Sequence, residues 1–239
     1  MDVKEHYDKH LGEFYSWMMG DLSPKVDDFV RFLTAHHIKA QPGDVAVDLG
    51  AGNGIQTIAL AKRGFAVVAI DFNKHLLAEL ATNVREYAVS IVNDDIRNVR
   101  LHANDASVVC CCGDTLAHLQ SKEDISRLLA SIYDALRVGG KAIFSFRDYS
   151  VALEGIQRFI PVKSDADRIL TCVLDYEDEF VIVTDLLHER VGESWRQKVS
   201  SYRKVRLERM TVIDMLCDVG FRIEVDTVEN RMITIVAVR

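Results

Sequence analysis

The chain has 239 residues, room for one large α/β domain with a sizeable core or for two small ones. Nearly half of the residues are apolar and 27% are charged, which excludes a disordered composition. A net charge of −7 argues against general nucleic-acid binding, which needs a surplus of Lys and Arg, and no apolar run is long enough to span a bilayer.

The opening residues MDVKEHYDKH carry charges where a signal peptide needs an apolar run, so a cytoplasmic protein is expected. Tyr7, Leu11, Phe14, Tyr15 and Met18 fall at helical spacing and predict an aromatic-rich amphipathic segment over 5–19. A second helix is expected over Lys25–His36, with Pro24 in its first turn. After the turn Pro42-Gly43-Asp44, VAVDLG (45–50) is short and almost wholly apolar, as a strand buried on both faces requires. Ile55–Arg63 reads as a helix closed by Gly64, and AVVAID (66–71) as a second strand. Asn73 caps a helix with Leu76, Leu77, Leu80, Ala81 and Val84 on one side. VSIVN (89–93) and ASVVCCC (106–112) are the third and fourth strands. Ser121 and Asp124, spaced as in a capping box, start a helix carrying Ile125, Leu128, Leu129, Ile132 and Leu136, which Gly139-Gly140 ends. KAIFSF (141–146) is the fifth strand. Strand and helix alternating at this pitch imply right-handed crossovers and a parallel, doubly wound sheet.

The pattern then changes. Residues 168–189 read as two strands joined by an acidic turn and 195–208 as a third, with no helix between them, which predicts an antiparallel insert. Thr211 and Asp214 repeat the capping-box spacing, and Val212, Met215, Leu216 and Val219 form an apolar face ending at Gly220. FRIEVDTV (221–228) and MITIVAVR (232–239) close the chain as a tight hairpin.

Gly50, Gly52 and Gly54 alternate where the first strand ends, which lets a ligand approach the backbone and lets the next helix start at once. The spacing is G-x-G-x-G, not the G-x-G-x-x-G of dinucleotide enzymes, and no P-loop lysine follows. Alone, such a turn is equally a tight strand–helix junction. Asp71 ends the second strand, where a carboxylate can accept both hydroxyls of a ribose. Asp95 follows the third strand, placed for the exocyclic amine of an adenine, with Phe72 and Ile96 available to sandwich the ring. Each acid by itself is also readable as a solvated strand end or a helix cap. Three such features at the carboxyl ends of consecutive parallel strands converge on one crevice.

Asp48-Leu-Gly-Ala-Gly-Asn-Gly, Asp71, NDDI (93–96) and LRVGGK (136–141) together resemble the ordered motifs of class I S-adenosylmethionine-dependent methyltransferases. The resemblance is strong over 40–147 and continues as topology to the closing hairpin. It implies a Rossmann-like α/β fold: a doubly wound, mostly parallel seven-stranded sheet with a C-terminal antiparallel hairpin and a small antiparallel cap. One domain would span 1–239, with a helical lid over 1–40 and the cap insert over 150–208. The implied cofactor is S-adenosyl-L-methionine. Gly50, Ala51 and Gly52 would lie along its methionine part, Asp48 would support the turn, Asp71 would take the ribose and Asp95 the adenine amine, beside Phe72 and Ile96. Tyr15, with Tyr7 and Trp17, would contact it from the lid, though all three also read as core aromatics.

The stretch CCCGDTLAHL (110–119) ends the fourth strand. Five cysteines, three of them adjacent, make a poor disulfide framework, and consecutive strand positions point to alternate faces, so neither a disulfide nor a metal site is expected. Cys110, Cys111 and Cys112 read as small apolar strand residues, with the Cys112 carbonyl available to the cofactor's ammonium. The Pro-Cys of pyrimidine-C5 methyltransferases is absent. Gly-Asp-Thr-Leu stands where amide and exocyclic-amine methyltransferases carry Asn/Asp-Pro-Pro-Tyr/Phe, which argues against DNA adenine and protein glutamine as substrates. Asp114 and Thr115 are candidates for positioning an acceptor or the cofactor's amine, and His118 is either a base or a buried histidine beside its helix. The insert and its flanks carry Arg147, Tyr149, Arg158, Arg168, Tyr202, Arg203, Lys204 and Arg206. On a strand, Tyr202, Lys204 and Arg206 share one face and Arg203, Val205 and Leu207 the other. An inward Arg203, with Arg147, suits a carboxylate or phosphate, and a solvated edge strand is the alternative.

The expected function is methyl transfer to a nitrogen or oxygen of a small, anionic metabolite, with no nucleic-acid or membrane partner and room for a homodimer. A non-catalytic S-adenosylmethionine-binding regulatory subunit and an RNA or protein methyltransferase remain open alternatives. A nicotinamide-dependent dehydrogenase is disfavoured by the glycine spacing and the closing hairpin.

Overall fold

A strand with no polar face must be covered on both sides, and the apolar runs meet that demand by lying side by side. The computed structural model describes residues 2–239; Met1, the first residue of the expected lid, lies outside them. The lid region forms α1 (Val3–Lys9), α2 (Tyr15–Met19) and α3 (Leu22–Ala35). The alternating part follows as β1 (Val45–Leu49), α4 (Ile55–Lys62), β2 (Ala66–Asp71), α5 (Lys74–Asn83), β3 (Val89–Asn93), α6 (Val99–His102), β4 (Ala106–Cys111), α7 (Lys122–Ala135) and β5 (Leu136–Arg147). The insert forms β6 (Phe159–Ser164), β7 (Arg168–Tyr176), β8 (Phe180–Val191) and β9 (Ser194–Val205). The chain closes with α8 (Arg209–Val219), β10 (Arg222–Glu229) and β11 (Met232–Val238).

One sheet has the order β10-β11-β5-β4-β1-β2-β3. Strands β1 to β5 pair in parallel, while β11 runs antiparallel to both β5 and β10. The strand order reverses between β1 and β4, and the crevice that opens there at the carboxyl ends is where such sheets bind ligands. Apolar clusters fill both faces. One joins β4 and β5 to α7 and α8 through Leu128, Leu129, Phe144 and Leu216; the other joins β1 to α3 and α4 through Leu33, Ala46 and Leu60.

The second sheet, β6-β7-β8-β9, is antiparallel throughout. Its inner face meets the lid, where Leu170 and Leu187 pack with Leu11 and Phe14. His6 of α1 fastens this contact. Its Nδ1 lies 2.8 Å from Ser200 Oγ, its ring stacks on Tyr202, and its Nε2 is within ion-pair reach of Asp185 at 3.2 Å, though outside hydrogen-bond geometry.

Four local expectations change. The segment 5–19 is not one helix: a 3-10 turn at Leu11–Glu13 separates α1 from α2, and a Cβ on Gly12 would lie 2.6 Å from the Tyr7 carbonyl, so only glycine fits the bend. Gly139 and Gly140 lie inside β5, which begins at Leu136, because they exchange backbone hydrogen bonds with Arg239 instead of ending α7. Thr211 is interior to α8, which starts at Arg209 without a side-chain cap; the Arg209–Asp226 ion pair ties its first turn to β10 instead. The insert has a fourth strand, β6, whose Pro161 is tolerated because the strand is an edge.

Candidate functional site

The glycine turn after β1 wraps over the end of β2. Gly50 and Ala51 donate their N–H groups to the Ile70 carbonyl, and Gly50 adopts φ +74, where a Cβ would lie 2.5 Å from the Thr115 side chain. Asp71 closes the wrap. Its Oδ2 accepts from the Gly52 N–H and its Oδ1 from the Asn73 N–H, both at 2.8 Å. Each oxygen keeps a further lone pair, and the residue lines a cavity of about 550 Å³. Burial raises the Asp71 carboxyl against the lowering effect of those two backbone donors.

Gly50, Ala51, Gly52 and Cys112 form one wall of this cavity, and Phe72, Asp95 and Ile96 another. Tyr7 and Tyr15 of the lid cover it, with the Tyr15 hydroxyl 3.8 Å from where a Gly52 Cβ would be. Thr115, a candidate for the cofactor's amine, lines it, as do Asn53, Gln56 and Asn93, none of which was singled out by itself in the sequence as a cofactor residue. The adjacency of Asn53 to the glycines was the available signal: its amide donates to Ser16 Oγ at 3.0 Å, tying the turn to α2.

Several expected residues sit elsewhere. Asp48 does not line the cavity; it is buried behind the turn and accepts from Thr57 Oγ1 at 2.6 Å, with burial pushing its carboxyl up to about 7. Asp95 reaches the cavity wall but is already the partner of Arg97, at 2.6 Å from its guanidinium. The Cys112 carbonyl accepts from Thr115 Oγ1 at 2.8 Å, leaving one lone pair. Trp17 is not a lid contact to the cavity. Its indole N–H donates to Asp165 at 2.5 Å, and its ring meets Lys163 and Arg168, so it joins the lid to the cap.

The acceptor-side residues are rearranged more deeply. Asp114 lines neither cavity: it is buried in an αL turn and accepts from Lys204 Nζ at 2.8 Å and from the Arg147 N–H at 2.6 Å. Burial would raise its carboxyl, but the Lys204 ammonium and these hydrogen bonds bring it down to about 2. The inward cation of β9 is therefore Lys204, not Arg203, whose side chain is 62% exposed beside Glu177 and stacked on Phe180. Arg147 also faces outward, with its Nε 3.3 Å from Asp114. Of the other insert candidates, Arg158 pairs with Asp175, Arg168 with Glu189, and Arg206 bonds backbone carbonyls of Tyr149 and Ser150. Tyr149 and Tyr202 are buried in the cap's core.

His118 is where these parts meet. Its ring makes edge contacts with Tyr7 and Tyr202, and its Nε2 has no hydrogen-bond partner among the described residues. It lines the first cavity and a second one of about 570 Å³ that opens toward β8 and β9. Burial and the nearby Lys204 charge push the imidazole down to about 3, so it is neutral at ordinary pH and a weak base. Cys110 and Cys111 are buried, and burial pushes both thiols up, as inert strand residues require. Among the described residues no cluster of three His, Cys, Asp or Glu side chains suits a metal ion, and no helix is long and apolar enough to cross a membrane.

Residues 46–140 match the family described as "Methyltransferase domain". The chain is 29% identical over 129 residues to a glycine/sarcosine N-methyltransferase of Aphanothece halophytica, a match covering 53% of this chain and 47% of the relative. It is 30% identical over 142 residues to the cypemycin N-terminal methyltransferase of a Streptomyces species, covering 59% and 56%. The matched segments thus span about half the length of these curated relatives. Among solved structures, CalS10 of Micromonospora echinaspora, an amino pentose methyltransferase solved with S-adenosylmethionine, superposes with a TM-score of 0.77 at 14% identity, covering 96% of this chain and 97% of that one. An S-adenosylmethionine-dependent methyltransferase of Clostridium acetobutylicum gives 0.73 at 17% identity, with 97% and 95% covered. At such identities these two establish the fold, which is the Rossmann-like one that the strand order describes.

Proposed function

We propose that the chain, whose residues 46–140 match the methyltransferase-domain family and whose fold is that of S-adenosylmethionine-dependent methyltransferases, moves the methyl group of that cofactor to a nitrogen of a small molecule. The observation that carries this reading is the buried Asp71 carboxylate, held by two backbone donors at the rim of the glycine turn with lone pairs left over for a sugar diol. The cavity it lines suits a ligand of nucleoside size, since small-molecule sites run from roughly 300 to 1,000 Å³.

In this reading Asp71 binds the ribose and Phe72 and Ile96 flank the base. The stretch Gly50–Gly52, with Tyr15 above it, lies along the amino-acid tail, near the free lone pair of the Cys112 carbonyl. Asp48 acts only through the turn it supports. When bound, S-adenosylmethionine supplies an electrophilic methyl group on a positive sulfur. The protein's contribution is alignment and exclusion of water, and proximity of this kind carries most of the barrier reduction. Tyr7, Tyr15 and Phe72 close an aromatic wall over the cavity, which is how the lid dries it.

His118, which lines both cavities next to the cap, is held neutral by burial and the nearby Lys204 charge, so the proposed transfer does not require it as a base. The N-methyltransferase names of the relatives support nitrogen over oxygen. The acceptor is small and anionic, in keeping with the exposed guanidinium of Arg203 at the second cavity. Calorimetry with S-adenosylmethionine, its demethylated product and NAD tests the reading. Binding of the first two, abolished in Asp71→Ala, is expected; binding of NAD alone would overturn it.

A further inference from the structure

Resting on that reading only for the identity of the ligand, we propose that α1 is a proton-operated latch. His10, at its end, keeps the lid shut over the cofactor cavity while its imidazole is neutral, and its protonation releases α1 from the cap.

The helix has one side on the cavity and one on the cap. Tyr7 covers the cavity and meets Phe72 edge-on, and Asp2, Val3 and Lys4 line the same space. His6 and His10, one turn apart, are both buried, and they belong to the contact with the cap. Their ring centroids are 5.3 Å apart, and the His10 ring meets Phe14 edge-on at 5.1 Å. Phe14 in turn packs with Leu170 and Leu187 of the cap sheet.

A charged His10 has no counter-charge at hand while the lid is closed. Its Nε2 is buried without a hydrogen-bond partner, and its ring joins no ion pair among the described residues. The charged and titratable groups that face it are already engaged. On α1 itself, His6 is bonded to Ser200 of β9 and lies 3.2 Å from Asp185 of β8. Asp185 also accepts from the Cys172 thiol of β7 at 2.8 Å. Glu13, in the turn after α1, is balanced by Lys198 of β9 at 3.5 Å, and that ammonium opposes a second cation at His10. Two imidazoles thus share one buried carboxylate, and only His6 is within ion-pair reach of it.

The sign of the pH dependence follows. Burial and the neighbouring His6 hold the His10 imidazole below its ordinary 6.5, against the opposing pull of Asp185. Opening the lid returns the ring to water and to its ordinary value. Below about pH 6.5 the open state therefore binds a proton that the closed state refuses, and closure weakens as pH falls. Above that value the ring is neutral in both states and the latch holds.

The test reads opening at pH 7.5 and 5.5 on the full chain, free and saturated with the demethylated cofactor. One proton taken up per opening, by a group of ordinary pKa 6.5, limits the response between these values to roughly tenfold. Amide exchange of residues 3–9, corrected for its intrinsic pH dependence, and the rate of cofactor loss should both rise by roughly five- to tenfold at pH 5.5. Amides of β5 and α7 should keep their protection. His10→Phe preserves an edge contact with Phe14 but takes no proton, so it should abolish both rises; His10→Gln serves should the first fail to fold. Equal α1 exchange at the two pH values, or an unaltered rise in either variant, overturns the proposal while the methyltransferase reading stands. So does a rise shared by β5 and α7, which is global unfolding. Failure of the wild-type chain to bind the demethylated cofactor defeats the methyltransferase reading instead, and α1 exchange in the free chain still decides the latch.

Discussion

Lys204→Met should unfasten the cap from the main sheet at a cost well above that of an ordinary surface change. Lys204 Nζ and Asp114 Oδ2 are 2.8 Å apart, with 9% and 6% of the two side chains exposed. Removing the ammonium leaves the buried carboxylate with the Arg147 N–H, the half-exposed Arg147 guanidinium whose Nε is 3.3 Å away and, at 3.4 Å, the Tyr149 hydroxyl. Breaking one side of such a pair costs about 3–5 kcal/mol. The pH dependence gives an independent handle. With its carboxyl near 2 against an ordinary 3.8, Asp114 contributes about 2 kcal/mol that is present above pH 4 and lost as pH falls toward 2. Without Lys204, burial dominates and the carboxyl titrates above its ordinary value. The variant's native state then takes up the proton first, and its stability rises as pH is lowered from 7 to about 4.5. Lys204→Met/Asp114→Asn removes the stranded charge, and asparagine tolerates the αL backbone at φ +72, so most of the loss should return. Urea unfolding at the two pH values checks all three variants. A single-variant cost below about 1 kcal/mol, or a double variant as weak as the single, would refute the reasoning.

Asp71→Asn replaces the charged acceptor by a neutral amide and should weaken cofactor binding by roughly 10- to 100-fold, the worth of a hydrogen bond to a charged group; because the amide keeps one acceptor oxygen, either the Gly52 or the Asn73 N–H loses its partner and the thermal midpoint should fall as well; calorimetry decides, and an unaltered Kd contradicts the assignment. Asp48, held near 7 by burial, keeps its proton in the native state, so wild-type stability should fall as pH rises from about 4 through 7. Asp48→Asn, which keeps an acceptor for Thr57, should flatten that slope in urea titrations at pH 5 and 8; an equal slope in both proteins speaks against it. A thiol reagent should label exposed Cys217 at once and Cys110 and Cys111 only on unfolding, so early modification of either buried residue counts against their role as strand filler.

The parallel sheet was legible because strands buried on both faces are continuous apolar runs, and Gly50 and Asp71 mark where two of them end. Their convergence followed from topology alone, since parallel strands deliver their carboxyl ends to one edge. The cap was legible only in outline. β6 hides because Pro161 and alternating exposure erase the strand pattern at an edge. Alternation along β9 sorted its residues into two faces but gave no sign of which face turns inward. That choice is made by Asp114, ninety residues away, in a turn whose left-handed backbone aims its carboxylate under the cap. Trp17 was misjudged because the resemblance groups it with Tyr7 and Tyr15 in the lid, while its indole N–H is claimed by Asp165 of the insert.

The pairing of Lys204 with Asp114 also makes electrostatic sense of the site. A positive sulfur must be accommodated in the first cavity, and an unpaired ammonium next to His118 would oppose it in a dry environment. Asp114 cancels that charge at contact distance and at the same time binds the cap to β5 through the Arg147 N–H. The lid is anchored on both sides of the same seam, by His6 to Ser200 of the cap and by Asp8 to Asn73 beside the glycine turn. Cofactor affinity is then a property of cap, lid and sheet together, and loosening the seam at Lys204 should weaken binding at Asp71 without any change in the residues that touch the ligand.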